Sequence, residues 1–254
     1  MKLARDTWLI FGRHVLITLR SPVWVAFGLA QPVTYLLLFA PVLRLALRGA
    51  GVTTTAEAYR IYVPGLLTVM AVIGGMYTGF GLLGEIRSGI IERARVTPVS
   101  RLALMLGRGM REVVLLLVQA VLITLLAIPF GLRVRPQDVL LAYLLLALLS
   151  LLAISLSYGL TLKVRNEAAL GPIIQTAGQP VMLLSGVLLP LTIAPLLMQR
   201  IAWWNPFNWA TKGMRALYAG HAGDPSVWRS LIIVSALAVI TVTWSTRLFA
   251  RSVA

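Results

Sequence analysis

Six long stretches of the chain carry no charged side chain, and polar or charged segments separate them. They are Ser21–Leu43, Ile61–Gly84, Val113–Leu132, Val139–Leu162, Ala168–Gln199 and Ser230–Thr246. A helix of about 20 apolar residues crosses the ~30 Å hydrocarbon core of a bilayer. Because backbone groups in lipid must be hydrogen-bonded internally, each stretch is predicted to form a helix. The pattern therefore predicts an all-α integral membrane protein with six spans and both termini on the same side.

The boundaries follow from the charges and the prolines. The fifth stretch has 32 uncharged residues, which is too long for one simple span, and we end its helix near Pro190 because an interior proline breaks a helix. The apolar residues after it are predicted to form two short helices, Ile193–Trp204 and Trp209–Tyr218, joined at Asn205-Pro206. We assign residues 1–254 to one domain with spans at 21–43, 61–84, 113–132, 139–162, 168–190 and 230–246.

Residues 1–20, before the first span, have the pattern of a basic amphipathic helix. On a helical wheel four charged residues fall within about 40° of one another, and apolar residues occupy the opposite arc. The charged residues are Lys2, Asp6, Arg13 and Arg20, and the apolar ones are Leu3, Trp8, Ile10, Phe11, Val15 and Ile17. Such a helix is suited to the headgroup plane. It either anchors the topology or forms an elbow that also touches a cytoplasmic partner.

Composition supports the membrane assignment. Hydrophobic residues make up 59% of the chain and charged residues 12%, against roughly 25% charged residues in soluble domains. The net charge of +15 raises the possibility of nucleic-acid binding, but the basic residues are distributed over loops on both faces, which argues against that partner. Fourteen of the 23 lie on the side of the termini, so the positive-inside rule places both termini in the cytoplasm.

Catalytic and metal-binding residues are not apparent. The chain has no cysteine, which excludes disulfides, thiolate metal sites and a cysteine nucleophile. His14 and His221 lie 207 positions apart and lack companion ligands, so we predict no metal site and no catalytic residues.

The cytoplasmic loop at 85–112 is the most highly charged segment. It contains three acidic residues and six arginines, and Glu85–Arg95 is predicted to form a short helix. Thr97-Pro98 should end it, since a residue before proline avoids the α region. The segment is either a docking element for a partner or a solvated connection.

Two motifs resemble a known family. The pattern E-x-R-x-G-x-x-E-R-x-x-x-T-P at residues 85–98 resembles the cytoplasmic loop of type-2 ABC exporter (ABC-2) permeases. Residues 184–220 are similar to that family's S-G-x-x-x-P, N-P and arginine-before-glycine pattern. With the six spans, the resemblance covers nearly the whole chain. The branch most similar to it is the bacterial drug-resistance permeases of the daunorubicin-resistance type.

The resemblance implies a half-transporter in the bacterial cytoplasmic membrane. Two permease chains, expected to be identical, would bind two copies of a separate ATP-binding subunit. Residues 85–112 would hold a cytoplasmic coupling helix, and 191–220 an extracellular re-entrant helical hairpin between spans five and six. The coupling residues would be Glu85, Arg87, Gly89, Glu92, Arg93, Thr97 and Pro98. The hairpin motif would be Ser185, Gly186, Pro190, Asn205, Pro206 and Arg215, although Arg215 can also extend outward to water.

The sequence places ATP hydrolysis in another chain. A Walker A loop requires a G-K-[ST] sequence to bind phosphates, and none of the three lysines, Lys2, Lys163 and Lys212, lies in one. We therefore expect that this chain is not an enzyme and binds no cofactor, and that ATP and Mg bind to the partner subunit.

Polar and polarisable side chains within the spans are candidates for a substrate path. No acid or base lies in the middle of a span, which argues against a proton-coupled carrier. Methionine, aromatic and amide groups together suit a large amphipathic substrate, although packing at helix contacts or a dimer seam is the alternative. Gly75 and Gly79 form a G-x-x-x-G, which allows close helix approach. The candidates are Gln31, Tyr35, Met70, Tyr77, Phe80, Gln175, Gln179 and Met182.

Together these features predict the permease subunit of an ATP-driven exporter of a drug or lipid. The same architecture could export a lipid-linked saccharide. A channel, a secondary carrier or a membrane scaffold without transport are the remaining alternatives.

Overall fold

The computed structural model describes residues 2–20, 22–46, 54–89, 101–187, 191 and 194–252. Helices dominate this part of the chain, and it contains no β-strand. The helices are α1 (Lys2–Leu19), α2 (Pro22–Ala46), α3 (Thr55–Arg87), α4 (Arg101–Ala127), α5 (Pro136–Val164), α6 (Glu167–Leu183), α7 (Leu196–Trp203), α8 (Pro206–Tyr218) and α9 (Pro225–Ser252). The all-helical fold class is confirmed.

Local sequence determines where several helices begin. The Thr54 side chain accepts from the Glu57 backbone N–H, and the Glu57 carboxylate accepts from the Thr54 N–H, which together form a capping box for α3. Helix α5 begins with Pro136, whose missing N–H costs nothing at that position. Asn166 caps α6 through its side chain.

Four of the described helices are long and apolar enough to cross a bilayer. They are Thr55–Arg87, Ala103–Phe130, Pro136–Val164 and Pro225–Phe249. The second of them consists of most of α4 and the 3₁₀ turn Ile128–Phe130 that follows it. A multi-pass membrane protein follows from their length and composition. Three of them contain the second, fourth and sixth predicted spans and extend beyond the predicted limits. Ala103–Phe130 begins before the third predicted span, 113–132, but ends at Phe130, short of its predicted end.

The first and fifth predicted spans are not among these four helices. Helix α2 (Pro22–Ala46) covers the first predicted span from its second residue onward, and its stretch Gly28–Phe39 is apolar. Helix α6 has only 17 residues and ends at Leu183, earlier than the predicted 168–190, because the chain turns at Leu184–Gly186 with Gly186 at φ 68°. Pro190 lies outside the described residues. The count of six spans therefore stays a prediction.

Helices α3 and α5 form the centre of the bundle through small residues. A Cβ atom on Gly75 would lie 2.6 Å from the Ala153 Cβ, and one on Gly79 would collide with the hydroxyls of Ser157 and Thr161. The Gly79 N–H donates to the Ser157 Oγ at 3.0 Å. The close approach predicted from the G-x-x-x-G motif is thus confirmed, and α5 is the partner helix.

The bundle has two distinct ends. At the end that carries the termini, a buried cluster joins the start of α4 to the ends of α3, α5 and α9, and it contains Met105, Leu82, Tyr158 and Phe249. At the opposite end, Tyr59 of α3 stacks on Phe130 with ring centroids 5.2 Å apart. We call these the terminal end and the distal end.

Helix α1 packs along the terminal end of α4. A Cβ on Gly107 would lie 2.7 Å from Ile10 Cγ2, so only glycine permits this contact. The opposite surface of α1 exposes Trp8, Leu9 and Ile17. The predicted apolar arc is therefore divided: Ile10 faces protein, whereas Trp8 and Ile17 are free to meet lipid.

Candidate functional site

A cleft between α3 and α6 brings together four of the predicted path residues. Tyr77, Gln175, Gln179 and Met182 line it, together with Met76, Val72, Ile73, Ile174 and Gly178. Its volume is about 70 Å³. The cleft combines amide, thioether and aromatic groups on an otherwise apolar surface, which is the chemistry expected for an amphipathic ligand.

The position of α6 explains why the amide groups are exposed. Among its residues only Leu170 and Ile174 are buried, and they pack against Leu83 of α3. Gln175 and Gln179 lie on the exposed side of α6. An amide facing hydrocarbon is costly without a hydrogen-bond partner, so this face of α6 requires water, a ligand or another protein surface.

The other predicted path residues lie elsewhere. Gln31 donates to the Tyr35 hydroxyl at 3.4 Å on the exposed face of α2. Met70 packs against the central core. Phe80 stands beside α6 at Gly171, where a Cβ would lie 3.7 Å from its ring. The structure thus assigns Met70 to packing, and leaves Gln31 and Tyr35 as a separate polar pair.

The surface of α3 next to the cleft is a strip of small residues on either side of Tyr77, and the sequence places Gly74, Tyr77 and Gly81 in one line. Gly74, Gly81 and Gly84 are exposed on α3, and a Cβ on any of them would meet no atom within 4 Å. Tyr77 lies among them and is 49% exposed. Because these positions are three or four residues apart, they lie on the same face of α3.

At the terminal end, α3 continues through the start of the predicted coupling helix. Glu85 and Arg87 belong to the last turns of α3, and the chain turns at Ser88 and Gly89, where φ is 69°. The predicted separate helix from Glu85 to Arg95 is therefore wrong at its start, because α3 continues without interruption through Gly84 to Arg87. Glu92, Arg93, Thr97 and Pro98 lie outside the described residues.

Two ion pairs hold this end of α3 in place. Glu85 pairs with Arg108 of α4, whose side chain is only 9% exposed. Arg87 pairs with Glu167 at the start of α6, at 2.5 Å. Glu85 and Arg87 thus connect α3 to its neighbouring helices. The Glu85 carboxylate binds Arg108 of the same chain and does not form an exposed surface for a partner.

Arg111 of α4 attaches this helix to α1. The Arg111 Nε donates to Thr18 Oγ1 at 2.9 Å, and Arg111 also pairs with Glu112. His14 lies on the same helix as Thr18, and burial together with Arg108, Arg111 and Arg13 lowers its pKa to about 4. His14 is therefore neutral at pH 7 while α1 is docked.

At the distal end, side chains of the predicted hairpin bind the carbonyl groups released where α6 ends. Asn205 caps α8 by accepting from the Phe207 N–H, and its Nδ2 donates to the Val181 carbonyl at 2.7 Å. The Ser185 hydroxyl donates to the Met182 carbonyl. The two short helices join at Asn205-Pro206 as predicted, although α8 begins at Pro206 rather than Trp209.

Arg215 faces inward, so the alternative that its side chain extends outward to water is wrong. One of its terminal nitrogens donates to the Gly186 and Val187 carbonyls at 2.8 and 3.1 Å, and its Nε donates to the Ile61 carbonyl at 3.4 Å. A guanidinium offers several donors in a fixed plane. Arg215 therefore ties α8 to the end of α6 and to α3.

The described residues contain no cluster of three or more side chains able to hold a metal ion. Three structural elements are candidates for a function: the α3–α6 cleft, the ion-paired terminal end, and the short helices α7 and α8.

Comparison with known proteins gives a consistent result. Residues 5–218 match the family described as ABC-2 type transporter. A protein of Cyanophora paradoxa named as transport permease ycf38 is 25% identical over 203 residues, 79% of this chain and 69% of that protein. Its namesake in Pyropia yezoensis is 26% identical over 83% of this chain and 72% of its own length. YbhR of Escherichia coli K12, named as a multidrug ABC transporter permease, is 24% identical over 75% of this chain and 52% of its own length.

Proposed function

Because the chain belongs to the ABC-2 type transporter family, we propose that it is the permease subunit of an ATP-driven exporter. Its cargo is a hydrophobic or amphipathic compound, a drug or a lipid, which leaves across the bacterial cytoplasmic membrane. Both termini lie in the cytoplasm, and a separate ATP-binding subunit, present in two copies, binds ATP and Mg and supplies the energy.

The observation that carries this proposal is the set of amide and aromatic side chains in the α3–α6 cleft, where Gln175, Gln179 and Tyr77 face the outside of the chain. The cleft of one chain measures only about 70 Å³, whereas pockets for drug-sized ligands measure roughly 300–1,000 Å³. A second copy facing the same surface would enclose a larger cavity, which supports a homodimer with the substrate path between the two chains.

Force from the partner subunit enters at the terminal end. Residues 85–112 form the coupling segment, and its first residues are the last turns of α3. Because Glu85 is paired with Arg108 and Arg87 with Glu167, displacement of the segment moves α3, α4 and α6 together. Alternating access then opens the cleft toward the distal end, where Asn205 and Arg215 of the hairpin hold the end of α6.

The amide groups of the cleft favour a cargo with both apolar and polar parts. Export of a lipid-linked saccharide by the same architecture is the alternative. A secondary carrier is less well supported, because the two central helices carry charged side chains only near their ends. In α3 these are Glu57, Arg60, Glu85 and Arg87, and in α5 they are Asp138 and Lys163.

Transport by the reconstituted complex tests the proposal. The chain and its ATP-binding subunit are placed in liposomes with a panel of hydrophobic fluorescent dyes and a short-chain fluorescent lipid. We expect ATP-dependent accumulation of at least one compound, and a severalfold loss in Gln175→Leu/Gln179→Leu. Leu140→Val should show no loss, because it changes an exposed residue of α5 that does not line the cleft. Movement of cargo by the chain without the ATP-binding subunit would refute an ATP-driven mechanism.

The coupling assignment has its own test. Glu92→Ala and Arg93→Ala should lower cargo-stimulated ATPase activity severalfold and weaken co-purification of the ATP-binding subunit. Lys163→Ala at the end of α5 is the control, since it removes an exposed charge from the terminal end outside the coupling segment. Unchanged assembly and activity in both loop variants would show that the segment is not the coupling element.

A further inference from the structure

The distal end of the bundle contains a polar cavity with three arginines. Arg60, Arg133 and Arg135 line it, together with Val134, Ala219, Gly220 and His221, and its volume is about 510 Å³. This cavity lies at the other end of the molecule from the coupling segment and shares no residue with the α3–α6 cleft. The proposed transport mechanism gives the three-arginine cavity no role.

Rigid elements position the three guanidinium groups. Arg60 follows Tyr59, which is buried in α3 and stacked on Phe130. Arg133 and Arg135 flank the connection between the 3₁₀ turn and α5, where Leu132 is 2% exposed. The turn before them has Gly131 at φ 97°, and a Cβ there would lie 3.2 Å from the Ala56 Cβ of α3. The arginines are thus carried by packed backbone rather than by a free loop.

No ion pair in the described part of the chain involves the three arginines of the cavity. The buried Nε of Arg60 has no hydrogen-bond partner among the described residues. Asp138 and Asp224 line an adjoining chamber, which meets the arginine cavity at Arg135, Gly220 and His221. The lining of the two chambers contains three arginines and two aspartates, so it has an excess of positive charge, which lies on the side of the arginines.

The start of α5 adds to the same field. Arg135 is the N-cap residue of this 29-residue helix and provides no side-chain cap, so the positive end of the helix dipole faces the connection that holds Arg133 and Arg135. In the orientation proposed above, the distal end is the outer side, where arginines are disfavoured. Three of them converging on one cavity at the distal end therefore call for a specific anionic ligand.

We propose that this cavity binds a phosphoryl group, and that the group belongs to the headgroup of a membrane phospholipid. Guanidinium groups hydrogen-bond phosphate oxygens in bidentate geometry, and such charge-assisted bonds are about twice as strong as neutral ones. The phosphate occupies the space between Arg60, Arg133 and Arg135, and the remainder of the headgroup extends toward the chamber with Asp138. The inference does not depend on what the protein transports.

Binding by the full-length chain in detergent micelles tests the proposal. Isothermal calorimetry at constant ionic strength compares three probes: a short-chain phosphatidylglycerol, inorganic phosphate, and an uncharged short-chain diacylglycerol. We expect saturable binding of phosphatidylglycerol and no binding of the diacylglycerol. Saturable binding of inorganic phosphate with equal affinity would overturn the assignment to a lipid and identify a site for a soluble anion.

Substitutions locate the site. Arg60→Gln, Arg133→Gln and Arg135→Gln should each weaken phosphatidylglycerol binding about tenfold, since each removes a charge-assisted hydrogen bond. Arg229→Gln is the matched control, because Arg229 is an exposed arginine near the start of α9 that does not line the cavity. Arg133 and Arg135 are exposed, so their variants fold even if Arg60→Gln does not. Equal weakening by Arg229→Gln, or no saturable binding of any probe, would refute the proposal.

Discussion

At the scale of single residues, the smallest side chains determine where the helices meet. Gly75 and Gly79 bring α3 against α5, and Gly107 brings α4 against α1. Gly74, one position from Gly75, has open space around it. Two adjacent glycines in the same helix thus have opposite environments, which provides a matched pair for experiment.

Gly75→Ala should destabilise the protein by about 1–3 kcal/mol, because the new methyl group would overlap Ala153 and force the helices apart. Gly74→Ala should be neutral or slightly stabilising, since alanine is the better helix former and meets no atom. Thermal unfolding of the purified chain in detergent measures both. Equal effects of the two substitutions would contradict the described α3–α5 contact.

Arg215→Met should lower the unfolding free energy by about 2 kcal/mol, because it leaves the Gly186, Val187 and Ile61 carbonyls without their charged donor. Arg200→Met removes an exposed arginine from α7 and should change it by less than about 0.5 kcal/mol. Chemical unfolding in mixed micelles gives both values. A neutral Arg215→Met would show that the inward hydrogen bonds contribute nothing to stability.

At the scale of helices, polar contacts decide which elements move together. The Glu85–Arg108 pair connects α3 to α4 in a mostly buried setting, whereas the Arg87–Glu167 pair connects α3 to α6 with side chains 53% and 59% exposed. Removal of one partner costs more free energy of unfolding in a buried ion pair than in an exposed one, because it leaves an unpaired buried charge.

Arg108→Met should destabilise the chain by about 3 kcal/mol by leaving the Glu85 carboxylate unpaired, and the double variant Glu85→Gln/Arg108→Met should recover much of that loss. Arg87→Gln should cost less than about 1 kcal/mol. A double-mutant cycle on unfolding free energies provides the measurement. Additive effects at Glu85 and Arg108 would mean that the two side chains do not interact.

Docking of α1 should weaken in acid. His14 has a pKa of about 4 when α1 is docked and an ordinary value of 6.5 when it is released, so the released form binds more protons between these values. Docking is therefore fully retained above about pH 6.5 and is lost progressively as the pH falls toward 4. Hydrogen exchange of α1, corrected for intrinsic rates, should show this change, and His14→Gln should abolish it. A pH effect that persists in His14→Gln would assign it to another group.

At the scale of the whole molecule, the two ends of the bundle differ in chemistry. The terminal end holds the ion pairs of Glu85 and Arg87, and the distal end holds helix α8 and the three-arginine cavity. Such a polarity fits the proposed transporter, which a partner drives from one side.

Because the chain contains no cysteine, single cysteines report its orientation without background. Arg133→Cys and Ser226→Cys at the distal end should react with a membrane-impermeant maleimide in intact cells. Arg5→Cys and Lys163→Cys at the terminal end should react only after permeabilisation. The reverse pattern would place the termini outside and would exclude the coupling mechanism.

Hydrophobic runs and motifs were sufficient to predict the helical membrane fold, the close approach at Gly75 and Gly79 and the helix junction at Asn205-Pro206, because span length and turn chemistry are local properties. Pairing between distant segments is not local. Only the tertiary structure separated Met70 from the cleft that contains Gln175 and Gln179, turned Arg215 inward, and paired Glu85 with Arg108. The same holds for Arg60, Arg133 and Arg135, which look like ordinary loop charges in the sequence and share one cavity only after the helix ends are brought together.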